Sequence, residues 1–123
     1  MSGTTVLVVD DNALNLKLTR TLLVTHGYEV QTAASGSEAL EALQTFVPQM
    51  ILLDLQMPVM DGFELARRLK QDPRLREVVL IALTAYAMKG DEARALAAGC
   101  DGYIAKPIDT RALPLQLAAY LTS

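Results

Sequence analysis

Met50-Ile51-Leu52-Leu53-Asp54 is an apolar run that stops abruptly on a residue able to handle a phosphoryl group, and the same pattern recurs three more times along the chain. Val6-Leu7-Val8-Val9 runs into Asp10 and Asp11, Val79-Leu80-Ile81-Ala82-Leu83 into Thr84, and Tyr103-Ile104-Ala105 into Lys106. Short runs rich in Val, Ile and Leu, separated by helical stretches, read as strands buried on both faces of a parallel sheet. In an open parallel sheet the carboxyl ends of the strands line one crevice, and ligands bind there. Three carboxylates, a hydroxyl and an ammonium group therefore converge from distant parts of the sequence. That set points to acyl-phosphate chemistry on an aspartate.

Working outward, Asp11-Asn12 caps a first helix that carries Leu14, Leu18 and Leu22 at a spacing of four. It stops at His26-Gly27, where glycine takes the left-handed closing conformation. Tyr28 to Thr32 reads as a second strand. Ser35-Gly36-Ser37-Glu38 is a capping box that opens a helix through Phe46, with Ala39, Leu40 and Leu43 inward. After the third strand and the loop from Asp54 to Asp61, Gly62 leads into a helix with Phe63, Ala66 and Leu69 inward, closing near Asp72-Pro73. A fourth strand over Val78 to Leu83 precedes a helix centred on Asp91 to Ala98, closed by Gly99. After the fifth strand, Asp109 to Leu113 reads as a turn and Pro114 as the opening of a last helix to Leu121, because proline suits a first turn and breaks an interior. The pattern is (βα)5 with right-handed crossovers, an α/β doubly wound sheet with helices on both faces.

Composition narrows the function classes. At 123 residues, 51% apolar and 20% charged, the chain reads as one soluble domain. A formal charge of −3 carries no nucleic-acid footprint, and Arg67-Arg68 reads as a solvated helix face. The chain has neither a long apolar span nor a leader pattern at Met1-Ser2-Gly3, so no membrane partner is expected. The single Cys100 fits a reducing cytoplasm and reads as a core or turn residue. His26, beside Gly27, reads as a helix-terminal residue rather than a phosphohistidine.

The carboxylates carry the chemistry. Asp10, Asp11 and Asp54 put three negative charges in one crevice, which is unfavourable without a cation. Carboxylates with carbonyl oxygen and water form a hard-oxygen site suited to Mg2+, with Mn2+ as an alternative. Asp54, at the centre of the crevice, is the best-placed nucleophile. Lys106 supplies a compact positive charge for a phosphoryl oxygen, and Thr84 a hydroxyl donor. Each residue alone has an ordinary reading as a cap, a turn or a surface lysine. Their combination at four strand ends is what singles them out.

Val8-Val9-Asp10-Asp11-Asn12, Leu53-Asp54-Leu55-Gln56-Met57-Pro58, Asp61-Gly62, Leu83-Thr84-Ala85 and Lys106-Pro107 resemble the receiver domains of bacterial two-component response regulators, the CheY-like fold, across essentially residues 1–123. The separations of 43, 30 and 22 residues between Asp11, Asp54, Thr84 and Lys106 match as well. The resemblance implies a flavodoxin-like sheet of order 2-1-3-4-5. It implies that Asp54 accepts a phosphoryl group from a histidine kinase or a histidine phosphotransfer protein. Asp11, Asp54 and the backbone carbonyl of Gln56 would ligate Mg2+, with Asp10 acting through a metal-bound water. Lys106 would pair with the phosphate, and Lys106-Pro107 is expected to be a cis peptide. Thr84 and Tyr103 would form the switch pair that repacks the surface of the fourth helix, fifth strand and fifth helix, where a downstream protein binds. Gln56 and Tyr86 flank the path of the attacking water, so a bulky Tyr86 is expected to lengthen the phosphoryl lifetime. The stretch Thr84-Ala85-Tyr86-Ala87-Met88-Lys89-Gly90-Asp91 is most similar to stand-alone DivK-type receivers and to receivers of hybrid kinases.

Further expectations follow from that resemblance. The protein is a phosphoacceptor that catalyses only its own phosphorylation and slow dephosphorylation, not an enzyme with an external substrate. It is cytoplasmic, and either monomeric or a phosphorylation-dependent dimer. The chain ends soon after its last helix, so its output is expected to be protein binding without an attached effector. Two rivals remain: a pseudo-receiver scaffold acting without phosphate, and an aspartyl-phosphate phosphatase of the haloacid dehalogenase type. The second places its nucleophile after the first strand as Asp-x-Asp, whereas Asp54 follows the third.

Overall fold

The computed structural model describes residues 4–54, 62–84, 91–105 and 111–122. Five strands, β1 (Thr5–Val9), β2 (Glu29–Ala33), β3 (Met50–Asp54), β4 (Val79–Thr84) and β5 (Gly102–Ala105), pair in parallel in the order β2-β1-β3-β4-β5. They alternate with helices α1 (Ala13–Thr25), α2 (Gly36–Ala42), α3 (Gly62–Gln71), α4 (Asp91–Ala97) and α5 (Leu113–Thr122). Both the topology and the strand order agree with the reading of the sequence.

Strand side chains alternate between two buried clusters, as the pleat requires. Leu7, Val9, Ile51, Leu53, Leu80 and Ala82 point to one face, where Ala39 of α2 and Leu43 just past its end, Phe63, Leu65 and Leu69 of α3, and Ala95 of α4 cover them. Val6, Val8, Met50, Leu52, Ile81 and Leu83 point to the other, beneath Leu23 of α1 and Leu113 and Leu117 of α5. Burial of the sheet on both faces explains why its strands read as unbroken apolar runs. Cys100 belongs to the first cluster, and burial pushes its thiol up to about 11, which keeps it protonated near neutral pH.

The helices depart from expectation in three places. Leu14 and Leu18 do not face the core; they are 64% and 59% exposed, while Thr19 and Leu23 are buried and Leu16 and Leu22 half-buried. Leucines lie on both sides of α1, so spacing alone cannot choose its rotation. Its ends choose it: Asn12 Oδ1 accepts from Asn15 N at 3.1 Å, and the Leu23 carbonyl takes both His26 N and Tyr28 N at 3.0 Å. Gly27, at φ 90°, makes that return possible.

The second departure is α2, which ends at Ala42 rather than Phe46. Tighter turn bonds, Gln44 N to Glu41 O and Thr45 N to Ala42 O, close it. Ser35 Oγ accepts from Glu38 N as expected, whereas Glu38 Oε1 reaches past the cap to Ala34 N. Third, α5 starts at Leu113, one residue before Pro114. A proline is tolerated at either of the first two helical positions, since neither amide has a partner inside the helix. His26 caps α1, with Nδ1 donating to the Leu22 carbonyl at 2.9 Å, and Arg67 and Arg68 are exposed.

The rotation of α1 has a direct consequence. Leu23→Ala should cost about 2–5 kcal/mol, the range for truncating a buried leucine, while Leu18→Ala should fall within about 0.5 kcal/mol of wild type. Urea denaturation of both variants checks the pair, and equal losses would contradict this rotation.

Candidate functional site

The acidic site begins with the pairing of β1 and β3. Their register sets Val9 beside Leu53, so Asp10 and Asp54 leave adjacent strands at the same level. Asp54 lies in register with Leu83 of β4, and at the next level Thr84 lies beside Ala105 of β5. Four strands thus deliver their terminal residues to one edge of the sheet, and Lys106 follows Ala105 directly in the chain.

Carboxylate oxygens of Asp10, Asp11 and Asp54 all lie within 4.8 Å of one another. Asp10 and Asp54 are each 3% exposed, whereas Asp11 is open to solvent. Asp10 is oriented from both ends: its backbone amide donates to the Ala33 carbonyl at 3.1 Å, and its Oδ1 accepts from Asn12 N at 2.9 Å. Three carboxylates this close, two of them buried, repel one another in surroundings that screen charge poorly. Their oxygens form a hard donor set facing one exposed member, which fits a small divalent cation that retains water.

Tyr103 sits on β5 beside Ala82 of β4, half-buried against the cluster that contains Leu53 and Phe63. Asp10, Asp11 and Asp54 are therefore together, the Thr84 backbone is at the same edge, and Tyr103 is one layer below on the α4 side of the sheet. Gln56, Tyr86, Lys106 and the Lys106-Pro107 bond lie outside the described residues. One contact had no signal in the sequence: Arg94 of α4 stacks over the ring of Phe63, at the start of α3, with its guanidinium carbon 4.1 Å from the centroid. Periodicity places Phe63 in the core but is silent about which polar side chain lies across its ring.

Comparison with known proteins agrees with this geometry. The model of the response regulator receiver domain family matches residues 6–118. The polar-differentiation response regulator DivK of Brucella ovis is 44% identical over 116 residues, which span 94% of each chain. Among solved structures, the chemotaxis protein CheY4 of Vibrio cholerae superposes with a TM-score of 0.92 at 30% identity, covering 97% of this chain and 99% of that one. The receiver domain of the sensor histidine kinase PA1611 from Pseudomonas aeruginosa, solved with a magnesium ion coordinated in its active site cleft, superposes at 0.90 with 34% identity, covering 99% and 100%. The chain belongs to the response regulator receiver domain family, the signalling phosphoacceptors of two-component systems. Among the described residues, no helix is long and apolar enough to cross a membrane.

A cation that relieves the cluster binds only the folded chain and should therefore stabilise it. Mg2+ at about 100 times its dissociation constant should add about 2.7 kcal/mol, read as a rise in Tm. In Asp11→Asn, which leaves the buried pair in place, that rise should shrink or vanish. An equal rise in the variant would show that Mg2+ acts elsewhere.

Proposed function

We propose that the chain is a phosphorylation-dependent switch in which Asp54 accepts a phosphoryl group from the phosphohistidine of a histidine kinase or histidine phosphotransfer protein. The observation that carries this reading is the setting of Asp54: 3% exposed, at the end of the central strand, with its carboxylate beside those of Asp10 and Asp11. In the transfer, an Asp54 oxygen forms a bond to phosphorus as the phosphorus–nitrogen bond of the donor histidine breaks. The electron pair stays on the imidazole nitrogen, which takes up a proton. The domain catalyses this step and the slow hydrolysis of the acyl phosphate by water, which restores the Asp54 carboxylate and releases inorganic phosphate, and it turns over no external substrate.

Asp11, Asp54 and the backbone carbonyl of Gln56 would hold Mg2+, or Mn2+ with the same oxygen donors, and Asp10 would reach it through water. Such an ion, when bound, neutralises the cluster and draws charge from the phosphoryl oxygens. Lys106 supplies the ammonium partner for a phosphoryl oxygen, and the Thr84 hydroxyl donates to the phosphorylated aspartate. Tyr103 follows Thr84, and its half-buried position over the cluster containing Leu53 supports its role as the second member of the switch. Their movement remodels the face of α4, β5 and α5, which meets the downstream protein or a second copy of this chain. Leu14 and Leu18, exposed in the first turns of α1 directly after the acidic pair, supply apolar surface for the phosphodonor to cover. The reading treats residues 1–123 as a single cytoplasmic receiver domain, acting on other proteins without nucleic acid or membrane.

Two outcomes test the reading. With Mg2+ and acetyl phosphate, the wild type should gain an alkali-labile phosphoryl group seen by intact-mass measurement, and Asp54→Asn should gain none. A wild type that stays unmodified would favour a scaffold acting without phosphate. Tyr86, two residues after Thr84, shields the acyl phosphate from water, so Tyr86→Ala should shorten its half-life by about two- to tenfold, within about 1.4 kcal/mol of barrier. Identical decay in the two proteins would remove Tyr86 from the account.

A further inference from the structure

α4 is lightly anchored. Among its described side chains only Ala95 is fully buried, with Ala98 just past its end, whereas α1 buries Leu23, α3 buries Phe63, Leu65 and Leu69, and α5 buries Leu113 and Leu117. A helix seated on methyl groups has no large side chain to withdraw from a socket, so small sliding movements are not blocked by interlocked packing. Its position then depends on what grips it from the side. Arg94 does so, with its planar cation 4.1 Å from the centroid of Phe63. That separation lies inside the range in which a guanidinium is attracted to an aromatic face.

The two partners come from telling places. Phe63 is the second residue of α3, in the helix that follows β3 and Asp54. Arg94 is the fourth residue of α4, in the helix that follows β4 and Thr84. Phe63 is 8% exposed and shares its cluster with Leu53, the residue before Asp54, and Tyr103 packs against the same cluster. A continuous packed route therefore runs from the acceptor strand through Phe63 and Arg94 to α4, with Tyr103 on the cluster's flank.

We propose that Arg94, acting through Phe63, is a positioning residue that couples α4 and Tyr103 to events at Asp54. The proposal deepens the phospho-switch reading and rests on it. Retaining a cation over the ring preserves the coupling in part, and an apolar chain of similar length removes it. A contact that only strengthened the fold would change stability and leave the spread of the response intact.

The test is a set of amide NMR spectra with and without Mg2+ and beryllofluoride, for wild type, Arg94→Met, Arg94→Lys and Phe63→Leu. Arg94 is exposed, so Arg94→Met should keep the fold, which its spectrum before addition of beryllofluoride verifies directly. In wild type, shifts should extend from Val9, Asp10 and Asp11 to Ala95–Ala98 and Tyr103. In Arg94→Met the first group should keep its size while the second falls to about half or less, Arg94→Lys should recover part of it, and Phe63→Leu should mimic Arg94→Met. Full-sized shifts at α4 and Tyr103 in Arg94→Met would overturn the coupling and leave the phospho-switch standing. A wild type without shifts at any of these residues would overturn both.

Discussion

The pairing of β1 with β3, in a register that sets Val9 beside Leu53, is the constraint on which the rest of the molecule depends. It brings Asp10 and Asp54, 44 residues apart in the chain, to adjacent strand ends. A slip of one residue in either strand would exchange the two faces of its side chains and drive apolar groups to the wrong layer. Because both faces are buried, such a slip is resisted by the whole core. The site therefore inherits its precision from the packing of Leu7, Val9, Ile51 and Leu53 on one side and Val6, Val8, Met50 and Leu52 on the other.

That precision is spent on an unfavourable arrangement. Three carboxylates within 4.8 Å repel one another, and a chain free to relax would separate them. The fold prevents this by fixing their backbones at strand ends and by holding Asp10 with the Asn12 amide. A cluster kept under such repulsion responds strongly to positive charge and to any change in its own charge. In the proposed switch, conversion of one carboxylate into an acyl phosphate would alter charge, size and hydrogen bonding together, at a point where strands and helices meet.

The two ends of the sheet divide the work. At the amino end of β4, Asp101 Oδ2 accepts from Leu80 N at 2.8 Å and from Lys70 Nζ at 3.0 Å, while Lys70 also donates to the Val78 carbonyl at 2.9 Å and Asp101 N donates to the Leu80 carbonyl at 2.7 Å. This network ties α3, β4 and the turn into β5 together, far from the acidic edge. A well-bonded end gives the strands a fixed base, opposite the edge where the carboxylates gather.

The alternation of strands and helices, the two-faced burial and the identity of the acidic cluster were legible in the chain because each has a short-range signature: apolar runs of strand length, helix stretches between them, and polar residues at their ends. The sheet order came from the family resemblance. The same resemblance added roles for Gln56, Tyr86 and Tyr103, and the pairing of Thr84 with Tyr103, that composition and spacing do not contain. The rotation of α1, the early end of α2 and the start of α5 before Pro114 were not legible. Each turns on end contacts or on a choice between two leucine-bearing faces, which periodicity leaves equal. The contact of Arg94 with Phe63 lay further out of reach, because it joins residues 31 apart on separate helices whose spacing only the packed sheet defines. The chain alone determined which carboxylates gather at the crevice, since strand ends are written in local pattern. Tertiary packing decided which helix faces stay open and which side chains bridge neighbouring helices, because those depend on surfaces that exist only after the sheet has formed.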